Sequence, residues 1–185
     1  MTQPTLRPFG KDTLADFYAI HSQPNGAGWC FCAAWWLPDW NGWGERSAEQ
    51  NRAVREELAA AGRSDGYLMY LDGQPVGWCQ AGARDAFPKL LRAYDLAPDA
   101  QTAAVSCFFI PPALRRQGMA ARLLGLVLAE LRARGFARVQ AFPHCGPELA
   151  DDDVWTGPEA LFSAAGFTLL KADARRPVYQ LEFGA

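Results

Sequence analysis

Residues 108–124, FFIPPALRRQGMAARLL, have the composition and spacing of a site that binds an anion. An apolar run ends in two prolines, Arg115 and Arg116 follow, and Gly118 and Ala120 stand where a helical periodicity begins. The first turn of a helix leaves backbone N–H groups unpaired and carries the positive end of the helix dipole, so it attracts phosphate. The segment therefore predicts a pyrophosphate-binding turn. The alternative is an ordinary strand-to-helix turn with solvated arginines.

Residues 29–40, WCFCAAWWLPDW, place two cysteines one residue apart among four tryptophans. Large aromatic side chains line pockets, and their faces attract cations such as an amine. Trp29, Trp35 and Trp36 are therefore candidate substrate-binding residues. The same side chains would equally well cap the hydrophobic core.

The cysteines favour reduced thiols over a metal site. Their number is five, which is odd, and two of them lie in apolar runs, so we expect them to pack as small hydrophobic side chains. Cys30 and Cys32 supply two ligands, whereas a structural zinc site needs four. Only His144 and Cys145 would complete such a set, and we expect no metal.

Length and composition limit the number of domains and the class of protein. A chain of 185 residues, half of them hydrophobic and with a net charge of −2, predicts a single domain over residues 1–185. The near-neutral charge argues against a nucleic-acid partner, and the apolar content argues against disorder. No leader-like or membrane-spanning run is visible, so we expect a cytoplasmic protein without membrane association.

Periodicity and turn signals then predict the elements. Helices are expected over 13–21, from Ser47 with Gln50 as a capping box to Gly62, over 88–96, from Met119 to Gly135 and over 158–165. Strands are expected as a hairpin at 66–83 around Asp72-Gly73, and at 103–110, 137–142, 167–172 and 177–183, with an irregular linker at 143–157. The sum is a mixed α/β fold with a strand, a turn and a long helix at its centre.

The central unit resembles the GCN5-related N-acetyltransferases. Their signature is a strand ending in a hydrophobic residue and a proline, here Ile110 and Pro112. An Arg/Gln-x-x-Gly-x-Gly/Ala turn follows at the mouth of a helix, here residues 115–120. LFSAAGF at 161–167 stands in the place of the family's last helix. The resemblance covers about residues 5 to 183, and it implies a central mixed β-sheet flanked by helices.

The resemblance implies acetyl transfer from acetyl-CoA to an amine. The hairpin at 66–83 falls where the family has its second and third strands, which makes 103–110 the fourth. The resemblance places the pantetheine arm along this fourth strand and the pyrophosphate on the turn. The implied cofactor-binding residues are Phe108, Phe109, Ile110, Arg115, Arg116, Gln117, Gly118, Met119, Ala120 and Ala121.

Two departures from the family leave open which residues donate and accept the proton. Phe162 stands where the family often has a proton-donating tyrosine, and Trp155 stands where an asparagine is usual. The candidate catalytic residues are His144, because imidazole is the side-chain type suited to proton transfer near neutral pH, Cys107 on the strand 103–110 and Asp85 after the hairpin.

Each candidate also has a simpler interpretation. His144 would be a solvated loop residue, and Cys107 would fill the core, where apolar surroundings raise a thiol pKa. Asp85 and the acidic run 151–153 would bind a cationic amine, relay its proton through water, or simply be solvated. For His21, on the apolar side of the first helix, a packed or solvated side chain is expected more than a catalytic one.

The sequence thus predicts an N-acetyltransferase that acts by direct attack of a primary amine of a small molecule or peptide. The alternative is a CoA-binding module without catalysis, which the missing tyrosine motivates. The acceptor is not predicted, since a fold does not fix a substrate. A homodimer would be the commonest symmetric assembly.

Overall fold

The computed structural model describes residues 3–23, 28–63, 65–150 and 153–184. The strands are β1 (Thr5–Pro8), β2 (Tyr67–Leu71), β3 (Gln74–Ala83), β4 (Thr102–Phe109), β5 (Arg138–Ala141), β6 (Thr168–Lys171) and β7 (Val178–Glu182). The α-helices are α1 (Leu14–His21), α2 (Ala48–Ala60), α3 (Pro88–Tyr94), α4 (Met119–Ala133) and α5 (Glu159–Ala164). No helix in these ranges is long and apolar enough to cross a membrane.

Across the described residues the strands form one sheet in the order β1-β2-β3-β4-β5-β7-β6. β4 and β5 are parallel, and the other neighbouring pairs are antiparallel. The predicted mixed sheet flanked by helices is therefore confirmed. The single domain over residues 1–185 stays a prediction.

The local signals in the sequence account for the helix and turn positions. The Ser47 hydroxyl accepts the Gln50 N–H at 3.2 Å, and the Gln50 side chain accepts the Ser47 N–H at 2.8 Å, which is the predicted capping box of α2. Asp72 and Gly73 have φ of 50° and 77° and join β2 to β3. These are the left-handed conformations that a two-residue hairpin turn requires.

Strand β1 was not predicted, because its four residues carry no alternating pattern. It lies at the edge of the sheet, pairs only with β2 among the described strands and is mostly exposed. An edge strand buries little side-chain area, so the period-two signal is absent.

The two faces of the sheet are covered differently. Met119, Leu123, Val127 and Leu131 of α4 are buried against one face, as the four-residue repeat predicts. On the other face, α1 packs its aromatic side chains around Trp78 of β3.

Strands β4 and β5 separate at their carboxyl ends. Their pairing runs from Thr102 with Arg138 to Val105 with Ala141, after which β4 continues to Phe109 without β5 beside it. The linker after β5 takes over the pairing, since the Phe108 N–H donates to the Trp155 carbonyl at 2.7 Å. The gap between the two strands opens where α4 begins.

Candidate active site

The turn between β4 and α4 is built around left-handed backbone. Arg116 has φ of 59° and Gly118, the N-cap of α4, has φ of 74°. The Arg115 side chain is tied back, because its Nε donates to the Ile110 carbonyl at 3.1 Å. Among the described residues, the N-cap of α4 makes no side-chain hydrogen bond to its first turn, so these N–H groups could bind a ligand.

A cavity of about 830 Å³ extends from this turn across the end of β4. One wall is the turn and the first residues of α4, and a second is β4 from Cys107 to Ile110. The third comes from residues 29–43 and the fourth from residues 154–161 with Arg176. Backbone N–H groups and arginines thus face one end of the cavity, and aromatic side chains face the other.

The structure brings nine of the ten implied cofactor residues to this cavity. They are Phe108, Phe109, Ile110, Arg115, Arg116, Gly118, Met119, Ala120 and Ala121. Gln117 is not among the described lining residues; its side-chain amide donates to the Ala113 carbonyl at 2.9 Å and so braces the turn from outside.

The three predicted substrate tryptophans separate into two roles. Trp29 is 41% exposed and lines the cavity. Trp35 and Trp36 are buried instead, so the expectation that they line a pocket is corrected in favour of core packing. The Trp35 indole donates to the Ser106 carbonyl at 3.0 Å, and Trp36 packs on Phe87.

Two further tryptophans complete the aromatic wall. Trp40 and Trp43 line the cavity, and Trp43 lies edge-on to Trp29 with ring centroids 4.8 Å apart. Lys89 lies behind them, with its ammonium nitrogen 3.7 Å from the Trp40 ring centroid. The density of tryptophans indicated this wall, but not which rings face inward.

Of the predicted catalytic residues, Cys107 alone lines the cavity within the described ranges. The Asp85 carboxylate accepts from Arg84 at 3.2 Å and from the Asp99 N–H at 2.7 Å, which is a structural network at the opposite end of β4. His144 Nδ1 lies 3.2 Å from the Asp153 carbonyl oxygen. Neither Asp85 nor His144 is positioned to accept a proton inside the cavity.

The remaining proton-transfer candidates do not supply a proton donor or acceptor at the cavity within the described residues. Asp151 and Asp152 lie outside the described residues. Phe162 is buried, with its ring centroid 6.0 Å from that of Phe108, so it closes the wall without offering a hydroxyl. No Asp, Glu, His or Tyr occurs among the described residues that line the cavity.

Sequence reasoning missed a cluster of thiol and imidazole groups at the cavity wall. Cys32 Sγ lies 2.9 Å from Cys107 Sγ and 3.7 Å from His21 Nε2. His21 Nδ1 lies 2.8 Å from the Phe17 carbonyl oxygen, one helical turn back along α1. Since 75 residues separate Cys32 from Cys107, no local pattern predicts their contact.

The two neighbouring thiols differ in acidity. Burial raises the pKa of Cys32, but hydrogen bonds from Cys107 and His21 and the charges of His21 and Arg55 outweigh it and hold that pKa well below the usual range. The hydrogen bond to Cys32, together with burial, raises the pKa of Cys107 well above its usual range. These opposite shifts favour Cys107 as the donor and Cys32 as the acceptor, and they favour the thiolate form on Cys32 rather than on Cys107.

The zinc alternative required Cys30, Cys32, His144 and Cys145 to lie together. Cys145 donates to Glu159 at 3.3 Å, away from the cavity. In the described part of the chain, no group of three or more His, Cys, Asp or Glu side chains is arranged to hold a metal ion.

Comparisons with known proteins agree with this geometry. The sequence profile of the acetyltransferase (GNAT) family matches residues 29–150, which include the aromatic wall, β4 and the turn. A search of curated protein sequences found no match.

Solved structures of acetyltransferases share the fold over nearly the whole chain. An N-acetyltransferase from Staphylococcus aureus Mu50 has a TM-score of 0.57 at 16% identity, covering 98% of this chain and 99% of that chain. The aminoglycoside acetyltransferase AAC(6')-Ib with ribostamycin and coenzyme A has a TM-score of 0.64 at 15% identity, covering 98% and 94%. The ribosomal-protein-S18-alanine N-acetyltransferase of Escherichia coli has a TM-score of 0.55 at 14% identity, covering 98% and 95%. At such identities the likeness shows the fold alone.

Proposed function

The chain belongs to the acetyltransferase (GNAT) family, as the turn signature predicted, and from this premise we propose that it is an acetyl-CoA-dependent N-acetyltransferase. Its acceptor would be a primary amine on a small molecule or peptide. The observation that supports the proposal is the single cavity that joins the turn at 115–121 to an aromatic wall.

The turn has the features needed to hold the donor. The first N–H groups of α4 would bind the pyrophosphate, which could approach the backbone closely because Gly118 has no side chain. Arg116 would add positive charge beside it. The pantetheine arm would follow β4 toward Cys107. The Phe108 N–H already donates to the Trp155 carbonyl, so this backbone group is not open to the arm. The arm would hydrogen-bond to other backbone groups of β4 or displace the linker.

The aromatic wall has the features needed for an amine acceptor. The faces of Trp29, Trp40 and Trp43 would attract a cationic amine, at about 0.5–2 kcal/mol for each well-placed contact. The amine attacks only after it loses its proton, since an ammonium group has no free lone pair. The acetyl thioester supplies an activated acyl group with a good leaving group.

Binding of acetyl-CoA is the first test. Calorimetric titration of the parent chain is expected to show binding, and Arg116→Gly is expected to weaken it about tenfold, as for the loss of one charge-assisted hydrogen bond. Glycine adopts the φ of 59° at Arg116 readily, so this variant removes the side chain and keeps the turn. Arg132→Ala, at the far end of α4, removes the same charge away from the turn and is the matched control.

Failure of the parent chain to bind acetyl-CoA would overturn the proposal. Equal weakening by Arg116→Gly and Arg132→Ala would mean that net charge, and not the turn, attracts the ligand.

One observation favours a second candidate, a CoA-binding module without catalysis. The described cavity wall carries no carboxylate, imidazole or phenol, and Phe162 replaces the hydroxyl that the family often uses. Tight acetyl-CoA binding without CoA release across a broad panel of amines would support the module. Release of CoA that depends on an added amine would support the enzyme.

A further inference from the structure

We propose that Cys32 carries the acetyl group between acetyl-CoA and the amine, and that His21 holds the proton during both transfers. The inference rests on the proposed function, and it replaces direct attack with two transfers through the protein. It also assigns proton transfer in a cavity whose described lining residues include no carboxylate, imidazole or phenol.

The geometry is that of an activated nucleophile. Cys32 is one of the residues that line the cavity beside the end of β4, and its Sγ lies 3.7 Å from His21 Nε2. The Phe17 carbonyl accepts from His21 Nδ1, so Nε2 is turned toward the sulfur. A nucleophile, a base within reach and a third group that orients the base form the arrangement that activates cysteine.

A buried guanidinium acts electrostatically on Cys32 and lies over the rings of Phe9, Phe17 and Trp78, with no acidic partner among the described residues. The guanidinium of Arg55, on α2, is fully buried, and its Nε and Nη2 atoms have no hydrogen-bond partner among the described residues. Its contact with Gln80 at 3.5 Å is long and neutral. Buried charges are normally paired, and a thiolate on Cys32 would supply the missing negative charge.

The backbone holds Cys32 in an uncommon conformation. Phe31 and Cys32 are consecutive non-glycine residues with φ of 43° and 51°. Left-handed backbone at such residues costs on the order of 1–2 kcal/mol each and tends to persist where function requires it. Here the Cys32 sulfur lies within 3.7 Å of His21 and 2.9 Å of Cys107, and Cys32 and Cys107 both line the cavity.

The first transfer is a thioester exchange. The Cys32 thiolate attacks the acetyl carbonyl carbon, a new C–S bond to Cys32 forms and the C–S bond to CoA breaks. The electron pair leaves on the CoA sulfur, which takes the proton held by His21. The products are S-acetyl-Cys32 and free CoA, and no oxidant or reductant is needed.

The second transfer restores the pair. The neutral amine attacks the acetyl carbon on Cys32, a C–N bond forms and the C–S bond breaks. The electron pair returns to Cys32 Sγ, and the proton lost by the nitrogen passes to the Cys32–His21 pair. Because His21 acts through Cys32, it does not need to line the cavity.

The direct test is to trap the acetylated protein. The parent chain mixed with acetyl-CoA and no amine is expected to gain the mass of one acetyl group, which peptide mapping places on Cys32. Neutral hydroxylamine is expected to remove it, because it cleaves thioesters and leaves amides intact. An acetyl group that resists hydroxylamine would be on a lysine and would count against the proposal.

Variants separate the roles of the residues. Cys32→Ala is expected to abolish the adduct and to lower kcat at least about 100-fold, and His21→Gln is expected to slow formation of the adduct by about 10²–10⁴-fold. Cys145→Ala removes a thiol outside the cavity and is the control, expected to keep both the adduct and the rate. Calorimetry with acetyl-CoA shows whether each variant still folds and binds the donor.

The outcomes are distinguishable from failure of the proposed function. Acetyl-CoA binding and amine acetylation without an adduct, with Cys32→Ala at the parent rate, would overturn the acetyl-cysteine and leave direct transfer. No acetyl-CoA binding by the parent chain would overturn both.

Discussion

Lys89 is a buried ammonium group held mainly by tryptophan rings. Its Nζ has no hydrogen-bond partner among the described residues and lies over Trp40. Burial lowers the pKa of Lys89 to about 8 from the usual 10.5. Between these two pH values the unfolded chain binds more protons than the folded chain, so stability rises with pH across this window.

Replacement of this lysine is therefore expected to stabilise the protein. Lys89→Met removes the cost of burying a charge and is expected to raise the free energy of unfolding at pH 7 by about 1–3 kcal/mol, since one pKa unit is worth about 1.4 kcal/mol and the loss of the Trp40 contact offsets part of it. The gain should shrink as pH rises from about 8 toward 10.5. Urea unfolding at several pH values measures it.

The exposed Lys11 provides the control for Lys89→Met. Lys11→Met is expected to change stability little and without the same pH dependence. A loss of stability for Lys89→Met at pH 7 would mean that contact with the tryptophan rings outweighs desolvation.

At the scale of single residues, the sequence predicted contacts that are local and missed those that are not. The turn residues from Arg115 to Ala121 were identified because strand, turn and helix follow one another directly. His21 and Cys32 were interpreted as packing residues, since nothing in either neighbourhood reveals Cys107 or Arg55. For Trp35 and Trp36 the sequence left pocket lining and core packing equally open, because composition does not show which way a ring points.

At the scale of elements, the linker after β5 substitutes for the missing part of that strand. It pairs with β4 through the Trp155 carbonyl, and it then turns through Gly157 with φ of 96°. A Cβ at this glycine would lie 2.7 Å from Phe162 Cζ and 3.1 Å from Phe108 Cδ2. The close approach of the linker to the cavity wall thus requires glycine.

This requirement predicts the effect of a single methyl group. Gly157→Ala is expected to destabilise the protein by about 2–4 kcal/mol, from left-handed backbone and overpacking together, and to weaken acetyl-CoA binding. Gly166→Ala has a similar φ of 89°, but its Cβ would lie 3.7 Å from Leu181, so only the backbone cost of about 1–2 kcal/mol is expected. Thermal unfolding and calorimetric titration measure the two effects. Equal losses of stability would show that the linker moves aside without cost.

The sequence predicted the long elements better than the short ones for the same reason. Helix α4 and strand β4 carry a strong periodicity or an unbroken apolar run, because most of their surface is buried on one or both faces. The linker and β1 owe their places to pairing with strands that are distant in sequence. Backbone pairing of that kind does not depend on side-chain type, so the sequence does not reveal it.

At the scale of the whole molecule, the cavity is assembled from segments far apart in the chain. Residues 29–43, β4 with the turn, and residues 154–161 meet around it. The sheet order brings them together by separating β4 from β5 at one end. The mixed sheet was predictable from the order of elements, whereas the depth and lining of the cavity depend on packing between segments.

The contact between Cys32 and Cys107 makes this assembly sensitive to oxidants. Diamide would take two electrons from the two sulfurs, together with one proton from Cys107 and one from His21 or water, and leave a disulfide that joins residues 29–36 to β4 at the cavity. Titratable thiols are expected to fall from five to three, acetyl-CoA binding to be lost, and dithiothreitol to restore it. Bound acetyl-CoA should slow the reaction, and Cys107→Ala should prevent the cross-link. A cross-link elsewhere, found by mapping under non-reducing conditions, would contradict this expectation. The short distance between the two sulfurs, which favours the thiolate on Cys32, would thus also make acetyl-CoA binding reversible by oxidation and reduction.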